Sequence, residues 1–106
     1  MQQDKILSML GLAAKAGKIA SGEFSTEKAV KSQRAFLVIV SVEASENTKK
    51  MFRNMCVFYQ VPMYLYAPKE SLGHAIGKQY RASLAVLDEG FAASLIEKLE
   101  LADKTE

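Results

Sequence analysis

The chain has 106 residues, of which 49% are hydrophobic and 25% are charged, a composition typical of one globular domain with a modest core. It has no apolar run near the roughly 20 residues that span a bilayer, no signal-peptide pattern at its start, and a single Cys, which excludes an internal disulfide. The net charge of +2 is unevenly distributed, with 12 Lys/Arg against 6 Asp/Glu in residues 1–87 and 2 against 6 in residues 88–106. We therefore expect a cytoplasmic protein. The basic body suggests an anionic partner, and the alternative, which the charge alone favours, is that Lys and Arg only solubilise helix faces.

Helical and strand patterns alternate along the chain. Apolar side chains at spacings of three and four residues predict helices near residues 4–16, 25–32, 45–59 and 70–77, and from about residue 90 onward. Short apolar runs predict strands at residues 19–21, 35–41, 63–66 and 84–87. Because helices alternate with short strands, we predict an α/β fold in which helices and a small central sheet form layers.

Several residues are expected to mark the ends of these elements. Ser25 or Thr26 can cap the second helix, Ser45 can cap the third, and Asp88 with Glu89 suits the start of the last helix. The chain contains no repeat, low-complexity segment or linker, so one domain is predicted over residues 1–106. Its end, residues 103–106, is expected to fray.

The sequence offers little support for catalysis or for a bound metal. One Cys and one His cannot supply the four ligands of a zinc site. Cys56 and His74 could form a nucleophile pair, but Cys56 belongs to an apolar helical stripe, which favours an inert buried thiol. Gly77-Lys78 is followed by Gln79 rather than by the Ser or Thr of a phosphate-binding loop. We predict no catalytic residues, no metal and no cofactor.

The first of two basic segments, residues 22–30, places polar groups around the start of a helix. Gly22 permits a backbone conformation closed to other residues, which brings N–H groups near a ligand. The hydroxyls of Ser25 and Thr26 would lie at a helix N-terminus, a favourable site for phosphate. Lys28 and the following Lys31 would project from one helix face. Alternatively, these bases only solubilise the helix surface.

The second basic segment, residues 72–81, adds an aromatic side chain. Arg81 and Tyr80 together offer a cationic fork and a stacking surface for an unpaired base. Alternatively, Tyr80 covers an edge of the core. Gly73 and Gly77 are four residues apart, so on a helix they would share one face and permit a close backbone approach, either to a neighbouring strand or to a ligand.

From Leu10 to about Leu99 the chain resembles the kink-turn RNA-binding ribosomal proteins, the L-seven-Ae and L-thirty-e group. The markers are Gly22…Thr26-x-Lys28-Ala29-Val30, Ala35-x-Leu37-Val38-Ile39-Val40, Cys56…Tyr59-x-Val61-Pro62-Met63 and Leu72-Gly73-x-Ala75-x-Gly77-Lys78-x-Tyr80-Arg81. The small bacterial YlxQ-type members look most similar, through Gly11-Leu12-Ala13 and Asp88-Glu89-Gly90-Phe91-Ala92.

The resemblance implies a three-layer α-β-α sandwich around a mixed four-stranded sheet. It also implies binding to sharply bent RNA whose kink is flanked by sheared G·A pairs. The RNA edge of the family is formed by the start of the second helix and the loop before the last strand, which correspond to the two basic segments. The RNA-binding residues implied here are Gly22, Glu23, Ser25, Thr26, Lys28, Lys31, Tyr80 and Arg81. Ser45 lies at a position that touches RNA in some members.

One position departs from the family pattern. Archaeal members carry Asn-Glu, which can hydrogen-bond base edges, where this chain has Phe24-Ser25. Phe24 can form no such bond, and Ser25 offers one hydroxyl. The L-thirty-e branch also lacks the Asn-Glu pair, so RNA binding is still expected.

The predicted function is therefore that of a non-enzymatic RNA-binding protein linked to the ribosome or to translation. Its partners would be ribosomal or other kink-turn-like structured RNA and ribosomal or translation proteins, with no membrane partner, and we expect a monomer. The alternative is a protein-interaction module on a translation assembly with a weakened RNA edge, which Phe24-Ser25 and the acidic tail suggest. A third hypothesis, a small α/β enzyme, rests on Cys56, His74 and the acidic residues alone.

Overall fold

The computed structural model describes the backbone of residues 4–104 and the side chains of residues 4–102. In this range the helices are α1 (Lys5–Lys15), α2 (Glu23–Lys31), α3 (Glu46–Tyr59), α4 (Lys69–Ala75) and α5 (Glu89–Lys104). The strands are β1 (Ile19–Ser21), β2 (Leu37–Val40), β3 (Met63–Leu65) and β4 (Ser83–Val86). The predicted alternation of helices and strands is confirmed.

The four strands form one mixed sheet in the order β1-β4-β2-β3. β4 is antiparallel to both β1 and β2, whereas β2 and β3 are parallel. Ile39 of β2 lies between Leu84 of β4 and Tyr64 of β3. All four residues of β2 are buried, as expected for a β-branched apolar run covered on both faces.

The side chains of β2 alternate between two separate cores. Leu37 and Ile39 pack with apolar residues of α1, α4 and α5, whereas Val38 and Val40 pack with residues of α2 and α3. This alternation follows from the two-residue period of a strand. Each fully buried Leu, Ile or Val side chain stabilises the fold by about 1.5–3 kcal/mol relative to an exposed one. The protein is therefore the predicted three-layer α-β-α sandwich.

Two of the predicted helix starts are confirmed by their hydrogen bonds. Ser45 Oγ accepts from the N–H of Thr48 at 3.1 Å, so Ser45 caps α3. Asp88 Oδ2 accepts from the N–H of Phe91 at 2.9 Å at the start of α5. These side chains satisfy N–H groups that a helix N-terminus leaves without a partner.

The start of α2 and the end of α4 differ from the prediction. Gly22 occupies the N-cap position of α2, so the prediction of a Ser25 or Thr26 cap is wrong and both residues lie within the helix. α4 ends at Ala75, and Gly77 follows with φ of 81°. Gly73 and Gly77 therefore do not share a helix face.

The last helix extends into the tail that was expected to fray. α5 continues through Lys104, and the last two positions of the predicted frayed tail, 105–106, lie outside the described residues. Between residues 4 and 104 no helix combines the length and the hydropathy needed to cross a membrane.

Both basic segments lie at the same end of the strands of the sheet; we call this end an edge of the sheet. Because β4 runs opposite to β1 and β2, the connection before β4 lies at the same edge as those that follow β1, β2 and β3. The start of α2 and the loop between α4 and β4 (residues 76–82) are two of these four connections. The sheet topology thus brings distant parts of the sequence to one place.

Candidate nucleic-acid interface

Two hydrogen bonds, each from one basic segment to a residue that flanks the other, hold the two basic segments together. The N–H of Gly22 donates to the carbonyl oxygen of Ser83 at 2.9 Å, which extends the pairing of β1 with β4. Arg81 Nε donates to the Ser21 hydroxyl at 3.0 Å, immediately before the start of α2. The two segments therefore form one continuous surface, which we call the basic edge.

Gly22 allows β1 to pass directly into α2. Its backbone angles, φ 91° and ψ 162°, lie in a region that is essentially restricted to glycine. Beyond its two chain neighbours, a Cβ atom there would meet no atom of the described residues within 4 Å, so the requirement is conformational rather than steric. With glycine at the cap position, no side chain that the structure describes accepts from the first N–H groups of α2, so these groups are available to an anion.

The buried face of α2 contains one of the predicted site residues. Thr26 is fully buried, and its Oγ1 accepts a hydrogen bond from the Ser83 hydroxyl at 3.4 Å. Ala29 and Val30 extend the same face into the core. The structure therefore corrects the expectation for Thr26: its hydroxyl links α2 to β4 and is not exposed on the basic edge.

The solvent face of α2 presents an aromatic ring and two cations. Phe24, Lys28 and Lys31 follow one another at helical spacing, and all three are exposed. Lys31 Nζ lies 2.7 Å from Glu27 Oε2, and this hydrogen-bonded ion pair raises the pKa of Lys31. Among the described side chains Lys28 has no acidic partner, so its charge is available to an external group.

The loop between α4 and β4 is tightly packed on Gly73. A Cβ atom on Gly73 would lie 2.8 Å from the backbone nitrogen of Tyr80 and still closer to the carbonyl of Gln79. The carbonyl of Gly73 also accepts from the N–H of Lys78 at 2.8 Å. Gly73 is therefore required for the close approach of this loop, and the side chains that follow depend on it.

Arg81 is held by several hydrogen bonds, whereas the ring of Tyr80 is exposed. The Arg81 backbone N–H donates to the carbonyl of Lys69 at 3.1 Å, and Nη1 donates to the carbonyl of Tyr80 at 2.6 Å. Tyr80 is 62% exposed, which excludes the alternative that it covers an edge of the core. The pair thus consists of a positioned guanidinium and an accessible ring.

The neighbouring loops of the basic edge are also connected. Ser41 Oγ donates to the carbonyl of Ala67 at 2.8 Å and accepts from the N–H of Glu43 at 3.0 Å. Glu43 in turn accepts from the N–H of Lys69 at 3.0 Å. Ser45 is an exposed residue whose hydroxyl already caps α3. These bonds fix the loops that surround the two basic segments.

Comparison with known proteins identifies the family. The model of the Ribosomal protein L7Ae/L30e/S12e/Gadd45 family matches residues 4–96. The chain belongs to this family. It is 41% identical over 92 residues to the RNA-binding protein YlxQ of Bacillus subtilis (strain 168), covering 87% of this chain and 92% of that protein. It is 34% identical over 98 residues to the RNA-binding protein YlxQ of Enterococcus faecium, covering 92% and 94%.

Solved structures agree with this assignment. A protein of unknown function from Bacillus halodurans superposes with a TM-score of 0.90 and 39% identity, over 92% of this chain and 99% of the other. The Giardia lamblia 15.5kD RNA binding protein superposes with a TM-score of 0.78 and 20% identity, over 95% and 92%. At that identity the second match supports the fold alone. The family predicted from the sequence is therefore confirmed.

In this member of the L7Ae family the two candidate nucleophilic groups lie on opposite sides of the sheet. Cys56 packs in the core that α2 and α3 cover, whereas His74 belongs to α4, which covers the other face. Burial raises the pKa of the Cys56 thiol to about 11, which favours the unreactive protonated form. The Cys56–His74 pair considered from the sequence therefore cannot form.

Two features of the basic edge were missed from the sequence. Ser21 orients Arg81 through its hydroxyl, although the sequence shows it only as the last residue of a short strand. The sequence indicates only that Phe24 cannot hydrogen-bond to a base edge, whereas the structure shows that its ring is 77% exposed. Its place opposite Thr26, Ala29 and Val30 on a helical wheel could have indicated this exposure.

Proposed function

We propose that the protein binds structured RNA through the basic edge. The observation that carries this proposal is the junction of the two segments, where Arg81 bonds to Ser21 and Gly22 bonds to Ser83. This junction combines two cations, free helix N–H groups and an exposed ring, which are groups that contact phosphates and unpaired bases. Two relatives that cover most of the chain are named RNA-binding proteins, which supports the same function.

Each group at the basic edge has a proposed role. Lys28 and Arg81 contact phosphates or a guanine edge, and Tyr80 stacks on an unpaired base. Gly22 allows the RNA backbone to approach the first N–H groups of α2. The remaining proposed contacts are exposed residues on the same helix, Glu23, Ser25 and Lys31. Thr26 is omitted because its side chain is buried.

The RNA we propose is a kink-turn-like structure, of ribosomal or other origin, and the protein would act in translation in the cytoplasm as a non-enzymatic monomer. Membership of a ribosomal protein family supports the link to translation. The absence of the Asn-Glu pair at Phe24-Ser25 makes the choice of RNA the most informative part of the proposal to test.

The test is a binding titration with a kink-turn RNA and a regular duplex of matched length. We expect preference for the kink-turn RNA, and we expect Lys28→Ala and Arg81→Ala each to weaken binding by about 1–3 kcal/mol. Lys18→Ala is the matched control, because Lys18 is an exposed lysine in the connection between α1 and β1, at the opposite edge of the sheet. Losses below about 0.5 kcal/mol for both variants would refute the proposed site.

The salt dependence of the same titration separates RNA binding from the alternative of a protein-interaction module. Phosphate contacts release counterions, so affinity should fall steeply as salt is raised. An affinity that does not change with salt, or no affinity for any structured RNA, would favour the protein-interaction module.

A further inference from the structure

Phe24 is among the most exposed large apolar side chains of the described residues. It lies in the first turn of α2, and 77% of its surface is accessible to water. A shallow surface depression beside the ring is lined by Glu27, Lys28, Lys31 and Ser32. The ring therefore adjoins the cationic part of the basic edge and is not isolated on a neutral surface.

Neither folding nor helix formation accounts for a Phe at this position. A ring left in water contributes little of the free energy gained by burial, and Phe is a weaker helix former than Ala. Phe58 of α3 has the same exposure, but its ring contacts Tyr59 edge to face, with centroids 4.9 Å apart. Phe24 makes no such ring contact within the described part of the chain.

The spacing of Phe24 and Lys28 fits one nucleotide. Four residues of helix advance about 6 Å, so the ring and the ammonium group project side by side from the same face. Lys31 is already paired with Glu27, whereas Lys28, beside the ring, makes no ion pair with any residue that the structure describes. A flat apolar surface next to an unpaired cation is suited to a base and its phosphate, which favours RNA over an apolar protein surface.

We propose that Phe24 stacks on an unpaired base of the bound RNA while Lys28 contacts the phosphate of that nucleotide. The proposal rests on the proposed function and adds a stacking site on α2 to that of Tyr80. Every base has a π face, so this contact requires a base but tolerates its identity. This chain would thus recognise the presence of an unpaired base by stacking, since the Phe24 ring cannot hydrogen-bond to a base edge.

The experiment compares Phe24→Ala with Phe58→Ala in titrations of the full chain. The probe is the kink-turn RNA in a set of versions, in each of which one unpaired nucleotide is replaced by its abasic analogue. We expect Phe24→Ala to weaken binding of the intact RNA by about tenfold. For the abasic version that removes the stacked base, the same substitution should change affinity by less than about twofold. Phe58→Ala should have no such effect on any version, since Phe58 lies outside the basic edge.

A second measurement uses the absence of Trp from the chain. Phe24→Trp should bind the intact RNA at least as tightly as the wild type, and the fluorescence of its single indole should be quenched by that RNA. The abasic version that removes the stacked base should leave this fluorescence unchanged. A single Trp introduced by Phe58→Trp should not respond to either RNA.

The outcomes separate this inference from the proposed function. If the wild-type protein binds the RNA and Phe24→Ala binds it equally well, the stacking site alone is overturned. That result would point to a protein contact for Phe24. An equal loss with all abasic versions would also overturn it, because the ring would then act without a base. No binding of structured RNA by the wild-type protein would overturn the proposed function together with this inference.

Discussion

The start of α2 and the loop before β4 are adjacent parts of the basic edge, but they are built in different ways. α2 is a regular helix, and two of its exposed side chains, Phe24 and Lys28, make no ring contact or ion pair within the described part of the chain. The loop has no regular structure, and its path is set by the close contact with Gly73 and by the bonds of Arg81.

This difference separates two ways in which a substitution can reduce binding. A change at Lys28 or Phe24 removes a contact and leaves the helix intact, so affinity should fall without a loss of stability. A change at Gly73 moves the backbone of the loop, so stability and affinity should fall together. Measuring both quantities for each variant therefore tests the comparison.

The largest expected effect is that of Gly73→Ala. The added methyl group would overlap the backbone of residues 79–80, which cannot rotate away as a side chain can. We expect the free energy of unfolding to fall by about 3 kcal/mol, measured by urea denaturation, and RNA affinity to fall with it. Gly90→Ala is the control, because the nearest atom to its Cβ is Asp88 Oδ2 at 3.3 Å. A Gly73→Ala variant as stable as the wild type would contradict this account.

A smaller effect is expected for Gly22→Ala, which adds strain without overlap. The free energy of unfolding should fall by about 1–2 kcal/mol, because Ala rarely adopts this backbone conformation. Gly17→Ala is a matched control at the opposite edge, with φ of 74° and open space around its Cβ. Both variants should lose stability, but only Gly22→Ala should lose RNA affinity when both are folded. Equal losses of RNA affinity in Gly22→Ala and Gly17→Ala would mean that the start of α2 does not itself contact the RNA.

The smallest effect is expected when Arg81 is replaced by Lys and, in a separate variant, Lys28 by Arg. Arg81→Lys keeps the charge but replaces the planar guanidinium, whose Nε and Nη1 donate to the Ser21 hydroxyl and the Tyr80 carbonyl, with a flexible ammonium group. RNA affinity should therefore fall by about 1 kcal/mol. Lys28→Arg should alter RNA affinity by less than about 0.5 kcal/mol. Lys28 makes no ion pair with the described residues, so the change from an ammonium to a guanidinium group disrupts no such contact within the protein. Titration at one salt concentration measures both. Similar losses for the two variants would show that Arg81 acts only as a charge.

Much of the fold could be predicted from local patterns. The continuous apolar run at residues 35–41 predicts a strand covered on both faces, and β2, which spans Leu37–Val40, is buried along its whole length. Ser45 and Asp88 marked helix starts correctly, because a side-chain oxygen can satisfy a helix N–H group from within the same turn. These features depend on residues that are neighbours in sequence, so they can be predicted without knowledge of the tertiary structure.

The errors arose where distant residues decide the local geometry. Ser25 and Thr26 carry hydroxyls of the kind that cap helices. The hydrogen bond between Gly22 and Ser83 instead places Gly22 at the N-cap position and Thr26 against β4, where it is buried. Gly73 and Gly77 have helical spacing, but the loop that packs on Gly73 ends α4 before Gly77. Tertiary packing overrode local propensity in both cases.

The sequence by itself determined the family, the alternation of helices and strands, and most of the residue types available for binding. These properties follow from hydrophobic periodicity and from motifs that are read along the chain. Only the tertiary structure decided that Ser21 orients Arg81, that Thr26 is buried and that Phe24 is exposed beside Lys28, which has no ion pair with the described residues. The physical reason is that antiparallel pairing of β4 with β1 brings residues about 60 positions apart into hydrogen-bonding distance, and no local pattern specifies such a contact.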